Sequence, residues 1–578
     1  MWWLRDPDRL LREVAAIDEL REREAWLSAA TPRPFKDLKF AFEFGVVVND
    51  ETFPFTLEYP AFFPASPPLV IPRDGRRLSD HQYGDGGELC LEHRADNWDP
   101  SFTGAMMVAS TYRLLAGERP AKDERGDVPS AHEVSPGQRL RGRSCRFLST
   151  SDLCAYVASV PQGSVRVGHV VEIKAAGGIW TAYVDKLGSL EVPEWHETAI
   201  PDRGYKRRLA LLLRIESLND VPASPDQDFL DRLIEDLRGK QEAIPSDDFS
   251  EIQFIVIADA ASARMFFRYV NDGKHVVIPY TTVEMTDSGR RLPEGYDVLS
   301  DKKVGVVGCG SLGSKIAASL TRCGISRFVL VDEDIFKIGN LVRHELDADS
   351  LGTHKVHALK TRLEAIRAGM DVSARAVLLG GQESSGSTAS VLEELANCDL
   401  LIDATADPQA FNFVGAVARE GLKPMVWAEV YAGGIGGFVA RLRPDVEPPP
   451  HAARRQYLRW CERQGVPWRR EDTDYASRGA GAAPAIADDA DVAVIAAHAS
   501  RIAVDVLLRP EASLFPHPAY VIGLQEDWIF DAPFDTRPID FEAEGSWAVS
   551  PLPERTAEAL DFILSLITPD VDADRTGT

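Results

Sequence analysis

Gly308-Cys309-Gly310-Ser311-Leu312-Gly313 is entered from Val304-Gly305-Val306-Val307 and followed by Val329-Leu330-Val331-Asp332. Glycines at this spacing, between a β-like run and a helical one, make a turn whose backbone N–H groups cradle phosphate at a helix N-terminus. An acidic residue about twenty positions on then reads a ribose hydroxyl. Asp332 holds that place, and Asp334, Asn340, Arg343, Lys355, Asp403 and Asp407 lie downstream. When a carboxylate attacks the α-phosphate of ATP, negative charge builds on the phosphoryl oxygens and on departing pyrophosphate, so cations and a magnesium-binding carboxylate must be in place beforehand. Arg343 and Lys355 suit the cationic role. Asn340 could orient phosphate or ribose, and Asp407, with Asp403 as the alternative, would hold Mg2+. A hydride-transfer enzyme has no use for cations converging on a triphosphate.

The second reactive group is a thiol, Cys90, in Gly87-Glu88-Leu89-Cys90-Leu91 ahead of Trp98-Asp99-Pro100. A nucleotide site able to activate a carboxylate and a thiol able to carry the acyl product share one chain, which points to an acyl relay. Thiolate is the reactive form, and neither a lowered pKa nor a local base for Cys90 can be read from the sequence. His93 is a candidate for proton transfer or hydrogen bonding beside it, against the blander reading of a packed ring. The seven cysteines are odd in number and contain no Cys-x-x-Cys pair. A disulfide framework and a zinc site of the usual spacing are therefore not expected. Cys309, Cys323 and Cys398 read as buried thiols, whereas Cys461, in Gln456-Tyr457-Leu458-Arg459-Trp460-Cys461, is a candidate acyl acceptor, with Ser477 as a hydroxyl substitute.

These groups need elements to hold them. Residues 7–30 have helical spacing, 40–48 and 53–59 read as strands separated by Asn49-Asp50, 60–68 is a proline-studded crossing, and 103–115 is helical again. From 143 to 293, β-like runs (165–173, 180–184, 209–215, 252–258, 276–280) and one helical stretch (229–239) predict a mixed α/β middle domain with no assigned chemistry. From 301 to 443, strands and helices alternate, the pattern of a parallel sheet with helices on both faces and its ligand crevice at the carboxyl ends of the strands. Expected boundaries are 1–120, a linker at 121–142, 143–293, and 294–545 with an excursion at 443–490. A C-terminal helix and tail follow at 546–578.

The 578 residues are enough for several domains with sizeable cores, and a net charge of -25 argues against a nucleic-acid or anionic-membrane partner. No apolar run reaches the roughly 18 residues of a membrane span, and charge interrupts the start too early for a signal peptide. A cytoplasmic location is expected.

Across 299–523 the sequence resembles the ThiF/MoeB/E1 family of adenylating enzymes. The matching residues are the Gly308–Gly313 turn, Val331-Asp332-Glu333-Asp334, Asn340-Leu341-Val342-Arg343, Gly352 with Lys355, and Asp403-Ala404-Thr405-Ala406-Asp407. The resemblance implies a Rossmann-like adenylation domain, ATP and Mg2+ as cofactors, a ubiquitin-like protein with a C-terminal glycine as substrate, and a homodimeric or pseudo-dimeric scaffold. It also places Cys461 on the crossover segment where thioester-forming members carry their cysteine. The aspartate loop departs from the family's common form, and the two zinc-binding cysteine pairs of sulfur-carrier members are missing. The first 120 residues resemble an α+β ubiquitin-conjugating (E2-like, UBC) domain. Tyr59-Pro60, Phe63-Pro64 and Pro67-Pro68 match its proline segment, Cys90-Leu91 its active cysteine, and Trp98, Pro100 and Thr103 its tryptophan motif. His81-Gln82-Tyr83 stands where that family has His-Pro-Asn, so the oxyanion donor is missing, and Tyr83, His93 and Asn97 are candidate replacements.

Together these imply a bacterial-style fusion of activating and conjugating enzymes. A ubiquitin-like C terminus is adenylated, passed to Cys461 and Cys90, and attached to a target protein, as in the similar fusions of anti-phage CBASS operons. Alternatives are a sulfur-carrier activator, a nucleotide-switched module that binds a ubiquitin-like partner and, most remotely, a hydride-transfer enzyme.

Overall fold

A computed structural model describes residues 1–34, 39–84, 86–121, 126, 128–129, 135–188, 191–238, 252–285, 291–465, 487–547 and 553–567. It divides into two compact units, Met1–Gly142 and Arg143–Thr578.

The first unit opens with α1 (Trp2–Arg5) and α2 (Pro7–Arg23). Asp6 caps α2 by accepting the Arg9 N–H at 2.9 Å, and Pro7 occupies the first turn, where no N–H is needed. The helix is shorter than the expected 7–30. Residues Leu27–Pro34 form β1, antiparallel to β2 (Phe40–Val48), because Pro32 and Pro34 cannot continue a helix and Leu27 and Ala30 are buried in the sheet. β2 turns into β3 (Glu51–Tyr59) through Asn49 and Asp50, both at positive φ (52° and 65°), the two-residue turn that matches strand twist. β4 (Leu69–Pro72), the short pair β5 (Gln82–Tyr83) and β6 (Glu88–Leu89), α3 (Gly104–Glu118) and α4 (Pro136–Arg139) complete it.

A buried charge organises this unit. Glu13 accepts Arg9 Nε at 2.8 Å through one oxygen, and Tyr59 Oη at 2.8 Å and the Gly104 N–H at 2.7 Å through the other. The Arg9 guanidinium also donates to the carbonyls of Pro100 and Phe102. Helix α2, strand β3, the loop after Cys90 and the start of α3 thus meet on one carboxylate, and burial with charge coupling to Glu13 raises the Tyr59 phenol well above its ordinary value.

The second unit begins with β7 (Cys145–Thr150), α5 (Ser151–Ser159), β8 (Val165–Lys174), β9 (Trp180–Gly188), β10 (Pro193–His196), β11 (Arg207–Arg214), α6 (Gln227–Arg238), β12 (Phe254–Ala258), β13 (Ala263–Asn271) and β14 (Lys274–Met285). The strand order is β10-β9-β7-β14-β13-β12-β11-β8, and β9 also pairs with β8, so all of these strands but β10 close into a ring. Ala210 and Leu212 of β11 join one core with Phe147, Val170 and Phe254. Leu211 and Leu213 join another with Leu230, Ile234 and Leu237 of α6. Burial on both faces is why β11 reads as an unbroken apolar run.

Next come β15 (Lys303–Val307), α7 (Ser311–Arg322), β16 (Arg327–Val331), α8 (Lys355–Ile366), β17 (Asp371–Arg375), α9 (Ser385–Ala396), β18 (Leu400–Asp403), α10 (Pro408–Glu420), β19 (Met425–Val430), β20 (Gly436–Leu442), α11 (Pro450–Arg463), α12 (Asp489–Leu508), β21 (Ala519–Gly523), β22 (Thr536–Ile539) and α13 (Pro553–Ile567). The sheet order is β17-β16-β15-β18-β19-β20-β21-β22, parallel as far as β19 and antiparallel beyond. Side chains of α7, α8 and α12 share a core on one face, and those of α9, α10 and α11 on the other. The expected excursion at 443–490 begins with α11 packed into that second core; Ser477 lies outside the described residues.

Removing one partner from a buried ion pair typically costs about 3–5 kcal/mol. Glu13→Ala should destabilise the first unit by that order, read as faster native-state hydrogen exchange across β3 and α3. Unchanged exchange there would contradict the structural role given to Glu13.

Candidate functional site

The strand order reverses at β15: the chain leaves it for β16 on one side and later returns to β18 on the other. Loops diverging at such a switch point open a crevice at the strand ends. The glycine turn after β15 lies in it, and its glycines differ in what they permit. Gly308 has φ +84°, donates its N–H to Val331 O at 2.9 Å, and would place a Cβ 2.9 Å from the Ala404 backbone after β18. A Cβ on Gly313 would sit 1.8 Å from the Gly308 carbonyl oxygen, so only glycine lets α7 start this close to the turn. A Cβ on Gly310 would meet nothing within 4 Å. The N–H groups of Ser311, Leu312 and Gly313, in the first turn of α7, have no carbonyl within the helix to bind.

Asp332, at the end of β16, has both oxygens engaged: Oδ2 accepts the Cys309 N–H and Oδ1 the Asp334 N–H, each at 2.8 Å. It clamps the turn, and burial raises its carboxyl above the usual range despite Lys355 nearby. Lys355, buried at the start of α8, pairs with Asp334 at 2.6 Å. Asn340 Oδ1 accepts the Lys337 N–H at 2.8 Å and so shapes the loop that carries Arg343. Arg343 donates to Ala487 O at 3.2 Å and lines one cavity with Gly310, Ser311, Leu312 and Thr405. The structure thus brings the turn and Arg343 onto a shared cavity, with Asp332, Asp334 and Lys355 bracing the turn and the loop beyond it. His344, which sequence reasoning passed over, is buried beside Arg343 and bonds the Cys309 carbonyl at 2.9 Å.

Two carboxylates bracket the loop after β18, which lines the cavity through Ala404, Thr405 and Ala406. Asp403, fully buried at the end of β18, accepts the Thr405 N–H (3.0 Å) and hydroxyl (2.7 Å) on Oδ1, while Oδ2 has no hydrogen-bond partner. Burial lifts its carboxyl to about 6. Asp407 is exposed and caps α10, its Oδ1 taking the Gln409 and Ala410 N–H groups at 2.8 Å. Between them Ala406 has φ +55°, a conformation that costs a non-glycine residue energy and often marks a functional loop. Glu429, also missed from sequence, lines the cavity and accepts Trp427 Nε1 at 2.8 Å; burial first, then the nearby charge of Asp403, lifts its carboxyl to about 7. Among the described residues no group of three or more His, Cys, Asp or Glu could hold a metal ion by itself. Mg2+ commonly takes one or two carboxylates together with substrate phosphates. Asp407, with its second oxygen outside the cap, and Asp403, with its unpartnered oxygen, fit that smaller requirement.

Cys461 is buried on α11 among the aromatic residues of the second core. Burial pushes its thiol up to about 11, although Tyr457 hydrogen-bonds it. Tyr457 Oη in turn lies 2.7 Å from Tyr431 Oη. Of the remaining thiols, Cys309 and Cys398 are buried and Cys323 is half-exposed.

In the first unit, Cys90 is half-buried directly after β6, and its N–H donates to His81 O at 2.7 Å. Burial raises its thiol, and Arg94 acts against that rise. Of the candidate helpers, Asn97 is spent on its own loop, accepting the Arg94 N–H at 2.6 Å and donating to Glu92 O at 2.8 Å. His93 sets its ring edge-on against Phe102 at 5.2 Å. Tyr83 is only partly covered, yet that cover is the main cause that raises its phenol, ahead of the charges of Cys90 and Glu88. Trp98 donates its indole N–H to Pro64 O at 2.7 Å, tying the loop after Cys90 to the proline segment.

Residues 289–513 match the family model described as "ThiF family". The "ATP-dependent ubiquitin transferase-like protein Cap2" of Escherichia coli (strain TW11681) is 29% identical over 130 residues, 22% of this chain and 21% of that protein. The "Ubiquitin-like modifier-activating enzyme 5" of Drosophila grimshawi is 27% identical over 201 residues, 32% of this chain and 50% of that protein. The chain thus spans a fifth to a half of these relatives' length. The crystal structure of E. coli MccB with succinimide aligns at 16% identity and a TM-score of 0.33, covering 44% of this chain and 67% of that one. Residues 289–513 of this mixed α/β chain are thus similar to the ThiF family.

Gly313→Ala should disrupt the turn, because the added methyl meets a backbone oxygen that cannot move aside. The expected loss is above about 3 kcal/mol of stability in this region or all nucleotide binding, and a variant that folds and binds like the wild type would contradict the described packing. Glu429, with its carboxyl raised to about 7, binds its proton more tightly folded than unfolded. Its contribution to stability is complete below the ordinary glutamate range and lost as pH rises through about 7. Glu429→Gln should therefore flatten the decline in thermal stability between pH 5 and 8, and parallel profiles for the two proteins would refute the raised value.

Proposed function

We propose that the chain uses ATP to activate the C-terminal carboxylate of a ubiquitin-like protein by adenylation, and that the acyl group then passes to cysteine and on to an amine of a target protein. One observation carries the reading: the glycine turn, clamped by Asp332, and Arg343 line one cavity at the switch point of a segment matching the ThiF family model. Cap2 is named as ATP-dependent and ubiquitin transferase-like, and enzyme 5 as modifier-activating; both names support the same substrate class here.

The chain's residues divide the work. N–H groups of the turn and of the first turn of α7 hold the phosphates, Asp332 fixes the turn and can still offer lone pairs to a ribose hydroxyl, and Arg343 and Lys355 offset charge as pyrophosphate departs. Asp407, with Asp403 as the alternative, would hold Mg2+, which supplies further neutralisation of the phosphates. In the first unit, Cys90 carries the acyl group as a thioester, and the loop motifs around it support the resemblance to a conjugating domain. The setting proposed is bacterial anti-phage defence, in a homodimeric and cytoplasmic protein.

The route to Cys90 has two versions. Cys461 receives the acyl group first, which requires α11 to move, since the sulfur is buried. Its burial and raised thiol favour the other version, direct passage of the adenylate to Cys90.

Exchange of labelled pyrophosphate into ATP should depend on the ubiquitin-like partner and fall by about 100-fold or more in Arg343→Ala and in Lys355→Ala. Exchange at the wild-type rate in both would remove these residues from the phosphate site. Cys90→Ala should abolish the thiol-sensitive adduct on the first unit yet leave exchange intact, and loss of both would break the relay. Normal loading of Cys90 in Cys461→Ala would select the direct route, and blocked loading the two-step one.

A further inference from the structure

The Cys309-Gly310 peptide is held from two directions. Its preceding N–H goes to Asp332 Oδ2 at 2.8 Å, and its carbonyl faces His344 Nε2 at 2.9 Å. The imidazole is fixed in turn. Nδ1 accepts the Leu346 N–H at 3.2 Å, so the ring's single proton belongs on Nε2, which therefore donates to the carbonyl. The Phe336 ring meets the imidazole edge-on at 5.0 Å, and the His344 N–H is anchored on Asn340 O at 3.1 Å.

Because a trans peptide is planar, the carbonyl of Cys309 and the N–H of Gly310 point in opposite directions. Drawing the carbonyl onto His344 turns that N–H the other way. Gly310 lines the cavity and has open space where a side chain would stand. From this geometry we propose that His344 is a positioning residue: its Nε2–H locks the Cys309-Gly310 peptide so that the Gly310 N–H meets a nucleotide phosphate. The proposal rests on the nucleotide-site reading above and adds to it the residue that orients the turn. Burial keeps the imidazole neutral, with its pKa lowered to about 4, so the lock is unaffected by pH in the physiological range. His344 adjoins Arg343, so the same short loop delivers a cation to the cavity and fixes a peptide of the turn that lines it.

The test compares ATP and adenosine binding to the full chain by calorimetry or competition, in the wild type, His344→Met and His344→Gln. Methionine fills similar volume with no donor; glutamine restores an N–H and an acceptor. ATP affinity should fall about 10- to 100-fold in His344→Met, the consequence of leaving a buried carbonyl unpaired and its peptide free to turn. It should return to within about threefold in His344→Gln, while adenosine, which has no phosphate for Gly310 to meet, binds all three alike. Wild-type ATP affinity in His344→Met would overturn the positioning role and leave the nucleotide site standing. Equal losses for ATP and adenosine in both variants would also overturn it, by showing a purely structural role. If His344→Met does not fold, His344→Gln decides by itself: near-native ATP affinity supports the lock, and a large loss overturns it. No ATP binding by the wild type would instead remove the underlying nucleotide reading.

Discussion

The carboxylate of Asp332 accepting the Cys309 N–H joins the end of β16 to the turn that follows β15. Much else hangs on that bond. The turn can close only because Gly308 and Gly313 have no side chains, and its closure lets α7 begin with unbonded N–H groups facing a cavity. From the far side the loop after β18 contributes Thr405, and the segment ending at Arg343 contributes a guanidinium. An anion placed there would meet backbone dipoles first and side-chain charge second.

The same cavity carries acid as well as base. Glu429, on its lining, is raised by burial and by the charge of Asp403; Asp403, just behind the lining loop, is raised by burial and by Asp407 and keeps an oxygen without a partner. Groups that hold protons so close to neutrality are costly to build into a fold and tend to cluster where chemistry occurs. In the first unit a buried carboxylate does structural work instead: Glu13 is fully satisfied by Arg9, Tyr59 and Gly104, and through Arg9 it fixes the loop beyond Cys90.

What the sequence disclosed and what it withheld divide along the range of the interactions involved. The strand, glycine turn and helix at 304–322 follow from spacing alone, as does the Asn49-Asp50 hairpin, because each depends on neighbours in the chain. Leu27–Ala30 reads as the end of a helix until the pairing of β1 with β2 is known, and the ring pairings of β11 with β8 and of β14 with β7 join strands far apart in sequence, which periodicity does not record. Asp332 was identifiable as part of the site, but the engagement of both oxygens by backbone was not. His344 and Glu429 gave no local signal at all; their roles arise from a carbonyl and a cavity wall far away in sequence. Cys461, conspicuous as a cysteine in the crossover segment, lies buried on a helix, because the four-residue spacing of Ala453, Tyr457 and Cys461 puts them on one face of α11, against the core.

The most direct test of carboxylate activation follows oxygen atoms. A ubiquitin-like protein labelled with 18O in its C-terminal carboxylate, incubated with ATP and the full chain, should transfer one labelled oxygen to AMP when the acyl group moves on to sulfur or amine. Acyl transfer that leaves AMP unlabelled, or turnover that yields ADP and labelled phosphate, would contradict adenylation as the activating step.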